Sequence, residues 1–112
     1  MTQARWNIEY QIMQETWRTF EPWKNGNKFG FQGRMRIKRR TYEIVVEGKT
    51  ETYPSEEPKV FISPKPEEHH WHRPYEGEPF LCYQREGRIW QPARSTFASC
   101  VAVAVKYLEV FG

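Results

Sequence analysis

Tyr53-Pro54-Ser55-Glu56-Glu57-Pro58-Lys59-Val60-Phe61 sets two prolines four residues apart at the mouth of an apolar run. Proline fixes φ and gives up its amide hydrogen, so a pair at this spacing makes a stiff turn that feeds a strand. A strand is therefore expected at Lys59–Ser63. Immediately upstream, Tyr42, Ile44 and Val46 alternate with more polar residues over Thr41–Glu47, the pattern of a half-buried strand. Before that, Phe29, Phe31, Gly33, Met35 and Ile37 keep the same period of two, with the basic residues on the opposite face. The three segments read as an antiparallel meander.

Outward from the meander, both flanks read as helical. Trp6, Tyr10, Met13, Trp17 and Phe20 recur at offsets of four and three, which lines one face of an amphipathic helix over about residues 3–19. The Glu21-Pro22 step is expected to end it, and Asn25-Gly26-Asn27-Lys28 is a turn signal before the first strand. At the other end, Ser95–Phe111 contains an alternating Val101-Ala102-Val103-Ala104-Val105, yet the segment exceeds common strand lengths and so favours a helix. Its apolar face is Phe97, Val101, Ala104, Val105 and Leu108, with Ser95 as N-cap. Between Pro64 and Pro79 there is no period, only Pro, Glu, His and Gly, a long connection of the kind often used for function. The expected class is α+β, with helices packed on one antiparallel sheet.

At 112 residues the chain is long enough for one core and is read as a single domain over 1–112. Seven Phe, five Trp and six Tyr make that core strongly aromatic. The start lacks an apolar signal core, and no stretch reaches the roughly 20 apolar residues of a membrane span. A soluble, cytoplasmic, reducing setting is expected, with no membrane partner. There a Cys82–Cys100 disulfide is disfavoured, and no Cys/His spacing matches a metal site. No cofactor motif is present either. The balance of 17 Lys+Arg against 14 Asp+Glu gives +3, too little to imply nucleic acid without a concentrated patch.

Cys82 has neighbours that make its thiol a candidate nucleophile. Phe80-Leu81-Cys82-Tyr83 is followed by Trp90-Gln91-Pro92, eight residues after the thiol, and preceded by His72 ten residues before it. Trp90 and Pro92 also have scaffold roles, covering the core beside the loop and holding the turn before the helix. Cys100 lies within the proposed helix with no such neighbours and reads as packing. Arylation at pH 7 should therefore reach Cys82 first.

The order of these elements resembles the catalytic core of the ubiquitin-conjugating enzymes over roughly residues 29–111. Family members carry Tyr-Pro with a second proline four residues on, matched by Tyr53, Pro54 and Pro58, and then a strand. A His-Pro-Asn element stands ten residues before the cysteine, matched by His72-Arg73-Pro74, with Gly77 the candidate for the glycine between. Trp-Ser-Pro follows at an offset of eight, matched by Trp90-Gln91-Pro92, and then a Ser- or Thr-capped helix, matched by Ser95. The resemblance implies a thioester on Cys82, because a thiolate is both a strong nucleophile and a good leaving group. It implies as partners a ubiquitin-like modifier or a conjugated target protein, and an adenylating activating enzyme.

Two departures from the family are plain. Its asparagine aligns with Pro74, which has no donor for an oxyanion, while all three histidines, His69, His70 and His72, crowd the same loop. One of them is a candidate donor or base for the incoming amine; the competing reading makes His72 a structural cap and leaves the other two merely exposed. The chain also stops at Gly112, after the helix that follows the cysteine, where eukaryotic members continue with two more helices. Both traits resemble minimal prokaryotic conjugating-type proteins of antiphage operons, whose target is a cyclic-oligonucleotide synthase, a nucleotidyltransferase. A catalytically silent binding module on the same fold is the first alternative.

The second alternative is a nucleic-acid-binding domain using Arg34-Met35-Arg36-Ile37-Lys38-Arg39-Arg40, the densest positive run. Arg34, Arg36 and Lys38 are expected on one strand face, with Glu43, Glu47 and Glu51 near enough to neutralise them. On a chain of +3 the run reads first as a solvated face that discourages edge pairing. Nucleic acid is therefore the least favoured partner.

Overall fold

The computed structural model describes residues 1–65, 71–72, 80–81 and 89–111. Helix α1 (Gln3–Thr16) leads into β1 (Glu21–Asn25), β2 (Lys28–Ile37), β3 (Arg40–Lys49) and β4 (Lys59–Ser63). Two short strands, β5 (Trp71–His72) and β6 (Phe80–Leu81), precede α2 (Phe97–Phe111). The sheet is antiparallel throughout, in the order β1-β2-β3-β4-β6-β5. The α+β class and the meander are as the alternation implied.

Several boundaries differ from expectation. Helix α1 stops at Thr16, where the Trp17 amide closes onto the Met13 carbonyl and the Trp17 indole donates to Ala98 O at 3.1 Å. The residues after it form β1, a strand that Pro22 concealed: on an edge strand a missing amide costs no ladder bond on the open side. Trp71–His72 lies within the connection read as structureless, yet pairs with β6. Lys38 is not on the strand face with Arg34 and Arg36, because β2 ends at Ile37 and Lys38-Arg39 make the turn.

The inner face of the sheet carries Phe29, Phe31, Tyr42, Ile44, Val46, Val60, Ile62 and Leu81, all buried. Helix α2 lies across β2, β3 and β4, and α1 packs on α2. On α2, Ala98, Cys100, Val103 and Tyr107 are buried along with Phe97, Val101, Ala104 and Leu108, while Val105 is only partly covered. That helix is enclosed on more than one side, which is why its sequence is apolar nearly all round. Its N-cap is Thr96 rather than Ser95. The Ser99 amide donates to Thr96 Oγ1 at 3.1 Å and the Thr96 amide to Ser99 Oγ at 2.9 Å, a reciprocal capping arrangement. Ser95 Oγ instead accepts from the Gln91 amide at 3.0 Å.

One glycine is required by a close approach. A Cβ on Gly30 would sit 1.8 Å from Val46 O, so the β2 and β3 backbones meet there at a distance only glycine permits.

Candidate functional site

The aromatic residues of the two motif elements meet in the core. Tyr53 stacks on Phe97 with ring centroids 4.3 Å apart and an interplanar angle of 8°, and it tilts against Trp90 at 5.9 Å. Trp90 is buried, and its indole donates to Pro54 O at 2.7 Å. The Tyr-Pro turn after β3 and the Trp-x-Pro segment before α2 are thus hydrogen-bonded across 36 residues of sequence.

Beneath them lies a polar set that the amphipathic pattern did not reveal. Glu9 stands on the inner face of α1 with its side chain fully buried, while Tyr10, expected there, is exposed. Burying a carboxylate is costly unless donors surround it, and here there are three. Arg5 Nε donates to Glu9 Oε2 at 2.8 Å, the Tyr53 hydroxyl donates to the same oxygen, and the Phe97 amide donates to Glu9 Oε1 at 3.0 Å. The last bond puts a negative charge at the positive end of α2, which the helix dipole favours.

Arg5 reaches further. Its Nη1 donates to Pro92 O at 2.6 Å and its Nη2 to Ser95 O at 2.6 Å, with the guanidinium 5.4 Å over the Tyr53 ring. Pro92 itself is exposed, so its part in this set is its carbonyl. Desolvation works against the Arg5 cation, but its bonds to Tyr53 and Glu9 outweigh it and raise its pKa. Burial first, and then the Glu9 charge, push the Tyr53 hydroxyl well above its usual range, so it remains a donor. Both oxygens of Glu9 accept hydrogen bonds and its side chain is shut off from solvent, which suits a positioning role.

Cys82, His69, His70, Pro74 and Gly77 lie outside the described residues. His72 is placed by its backbone only, opposite Phe80 across β5 and β6. Leu81, fully buried, pairs with Val60 of β4 and Trp71 of β5, and Cys82 is the next residue in the chain. Cys100 is buried, and its thiol pKa is pushed well up by burial and by the charges of Glu9 and Glu57. Among the described residues no three His, Cys, Asp or Glu side chains gather to hold a metal ion, and no helix is long and apolar enough to cross a membrane.

No protein-family model matches this chain, and comparisons with curated proteins and with solved structures give no significant match. The residues that tie the site's borders together were missed for a definable reason. Glu9 lies three residues after Trp6 and four before Met13, the spacing of one helix face. A carboxylate in that stripe, with arginine four residues before it, was the available signal.

Proposed function

We propose that this chain contains a ubiquitin-conjugating-enzyme-like domain that carries an acyl group as a thioester on Cys82 and passes it to an amine. The observation that supports the reading best is the Trp90 to Pro54 hydrogen bond. It joins the two motif elements that bracket residue 82 in sequence, and Arg5 adds two further ties to the downstream one through Pro92 O and Ser95 O. Such a frame is what an acyl-carrying loop needs on either side if two proteins are to reach its thiol in turn.

The chemistry has two steps. The Cys82 thiolate attacks the thioester carbonyl of a modifier held by its activating enzyme, and the enzyme's thiolate leaves. An amine then attacks the new thioester, the Cys82 thiolate leaves, and the amine's proton goes to a base, for which His69, His70 and His72 are the candidates. A bacterial antiphage setting, with a nucleotidyltransferase as the conjugated target, is the context proposed for this activity.

The test is to incubate the protein with a candidate modifier, its activating enzyme and ATP, and to separate products with and without reductant. A reductant-sensitive adduct lost in Cys82→Ala and kept in Cys100→Ala supports the proposal. Absence of an adduct with every cognate pair refutes it and leaves a binding module on this fold.

A further inference from the structure

The strand registers expose a feature that the charge run alone did not. Strand β1 accompanies β2 only as far as Gln32, and β4 accompanies β3 only from Glu43 onward. Among the described residues, the part of β2 and β3 from Gly33 to Tyr42 is therefore a two-stranded ribbon with no strand on either side. Arg34 and Arg36 project from its outer face, Lys38 and Arg39 form its turn, and Arg40 begins the return; all five are exposed.

Among the described residues none of the five makes an ion pair. Glu43 stands opposite Arg34 in the ladder, but the ion pair found among the described residues is Arg5 with Glu9. Taking these five cations from the 17 Lys+Arg leaves 12 against 14 Asp+Glu. The rest of the chain is thus net negative, and the whole positive excess sits on the ribbon. Lys38 adds an independent sign: it holds φ +59° in a two-residue turn where Gly or Asn is preferred. A backbone penalty retained at an exposed lysine points to use of its charge.

We infer that the β2–β3 ribbon binds the phosphate backbone of duplex nucleic acid without reading its sequence. The choice of occupant follows from what the ribbon lacks. Its large apolar residues are Met35, Ile37 and Tyr42, of which the first is partly buried and the other two are buried. It therefore offers no apolar centre for a protein partner and no exposed ring on which single-stranded bases stack. It does offer four arginines, whose planar forks suit phosphate oxygens. Glu43 and Glu47 on the same outer face repel phosphate and confine contact to the ribbon.

Fluorescence anisotropy with a labelled duplex of about 20 base pairs tests this, because four phosphate contacts give a log–log salt slope of about −3.6. Binding should weaken about a hundred-fold between about 50 and 200 mM salt. The triple variant R36S/R39S/R40S should flatten the slope by about three, while K24S/K28S/K49S should bind as the parent does. Lys38→Gly should raise the melting temperature and weaken duplex binding together, a pairing that a merely structural turn does not produce. Salt-independent binding, tighter binding of the single strand, or equal loss in the two triple variants would overturn the inference. So would displacement of the duplex by polyglutamate as effective as by unlabelled duplex, which would mark an acidic protein as the occupant.

Discussion

Glu9→Ala is the sharpest test of the buried polar set, because its cost is computable bond by bond. The side chain is fully buried and accepts from Arg5, Tyr53 and Phe97. In the variant Arg5 keeps Pro92 O and Ser95 O, so its cation is not orphaned, but the Tyr53 hydroxyl and the Phe97 amide lose their acceptor. Each buried donor left without a partner costs about 1–3 kcal/mol, and the sum of about 4 kcal/mol agrees with the usual cost of breaking a buried pair. For 112 residues, at about 2.1 cal/mol/K per residue, that lowers the melting temperature by about 17 °C. Glu9→Gln keeps one acceptor oxygen and should cost about half as much. Calorimetry or circular dichroism melting reads both, and a Glu9→Ala midpoint within about 3 °C of the parent would refute the reasoning. A double-mutant cycle with Tyr53→Phe should return a coupling of about 1 kcal/mol or more.

Three further outcomes follow from the same structure. Because the Tyr53 pKa is raised in the folded state from a reference of 10.0, the unfolded chain loses this proton first, and stability should fall by up to about 1.4 kcal/mol per pH unit above pH ~10; urea midpoints measured across that range should lose this component in Tyr53→Phe. Gly30→Ala drives a methyl onto Val46 O and should cost about 3 kcal/mol or more, seen as low soluble yield and an early urea midpoint. Cys100, buried with a raised pKa, should resist a thiol-arylating reagent at pH 7 until the protein unfolds, so one adduct per native chain is expected by mass spectrometry and two in denaturant.

The sequence made the strands legible wherever one face is buried and the other wet. Thr41–Glu47 and Lys59–Ser63 fall inside or match their strands, since alternation is a direct record of that geometry. Strand β1 was hidden because only Trp23 of its five residues is even partly buried, and an edge strand so exposed leaves no hydrophobic period. The capping error at Ser95 has a similar origin: two adjacent hydroxyl residues offer equal local chemistry, and the turn through Gln91 decides between them by occupying Ser95. Glu9 shares the Trp6–Met13 face by spacing, but two of the donors that make burial of its charge tolerable lie 44 and 88 residues away and leave no local trace. The borders of the candidate site were legible as motif residues, while the bonds that join them were not.

The bonds of Glu9 and Arg5 also reach far along the chain. Their bonds to Tyr53, Phe97 and Ser95 close over 44, 88 and 90 residues, so each carries a large loop-closure cost. Where such contacts are absent from the folding transition state, Glu9→Ala should accelerate unfolding more than it slows folding, which the two arms of a denaturant chevron would read. On that outcome the polar set under Tyr53 governs how long the native chain persists between openings.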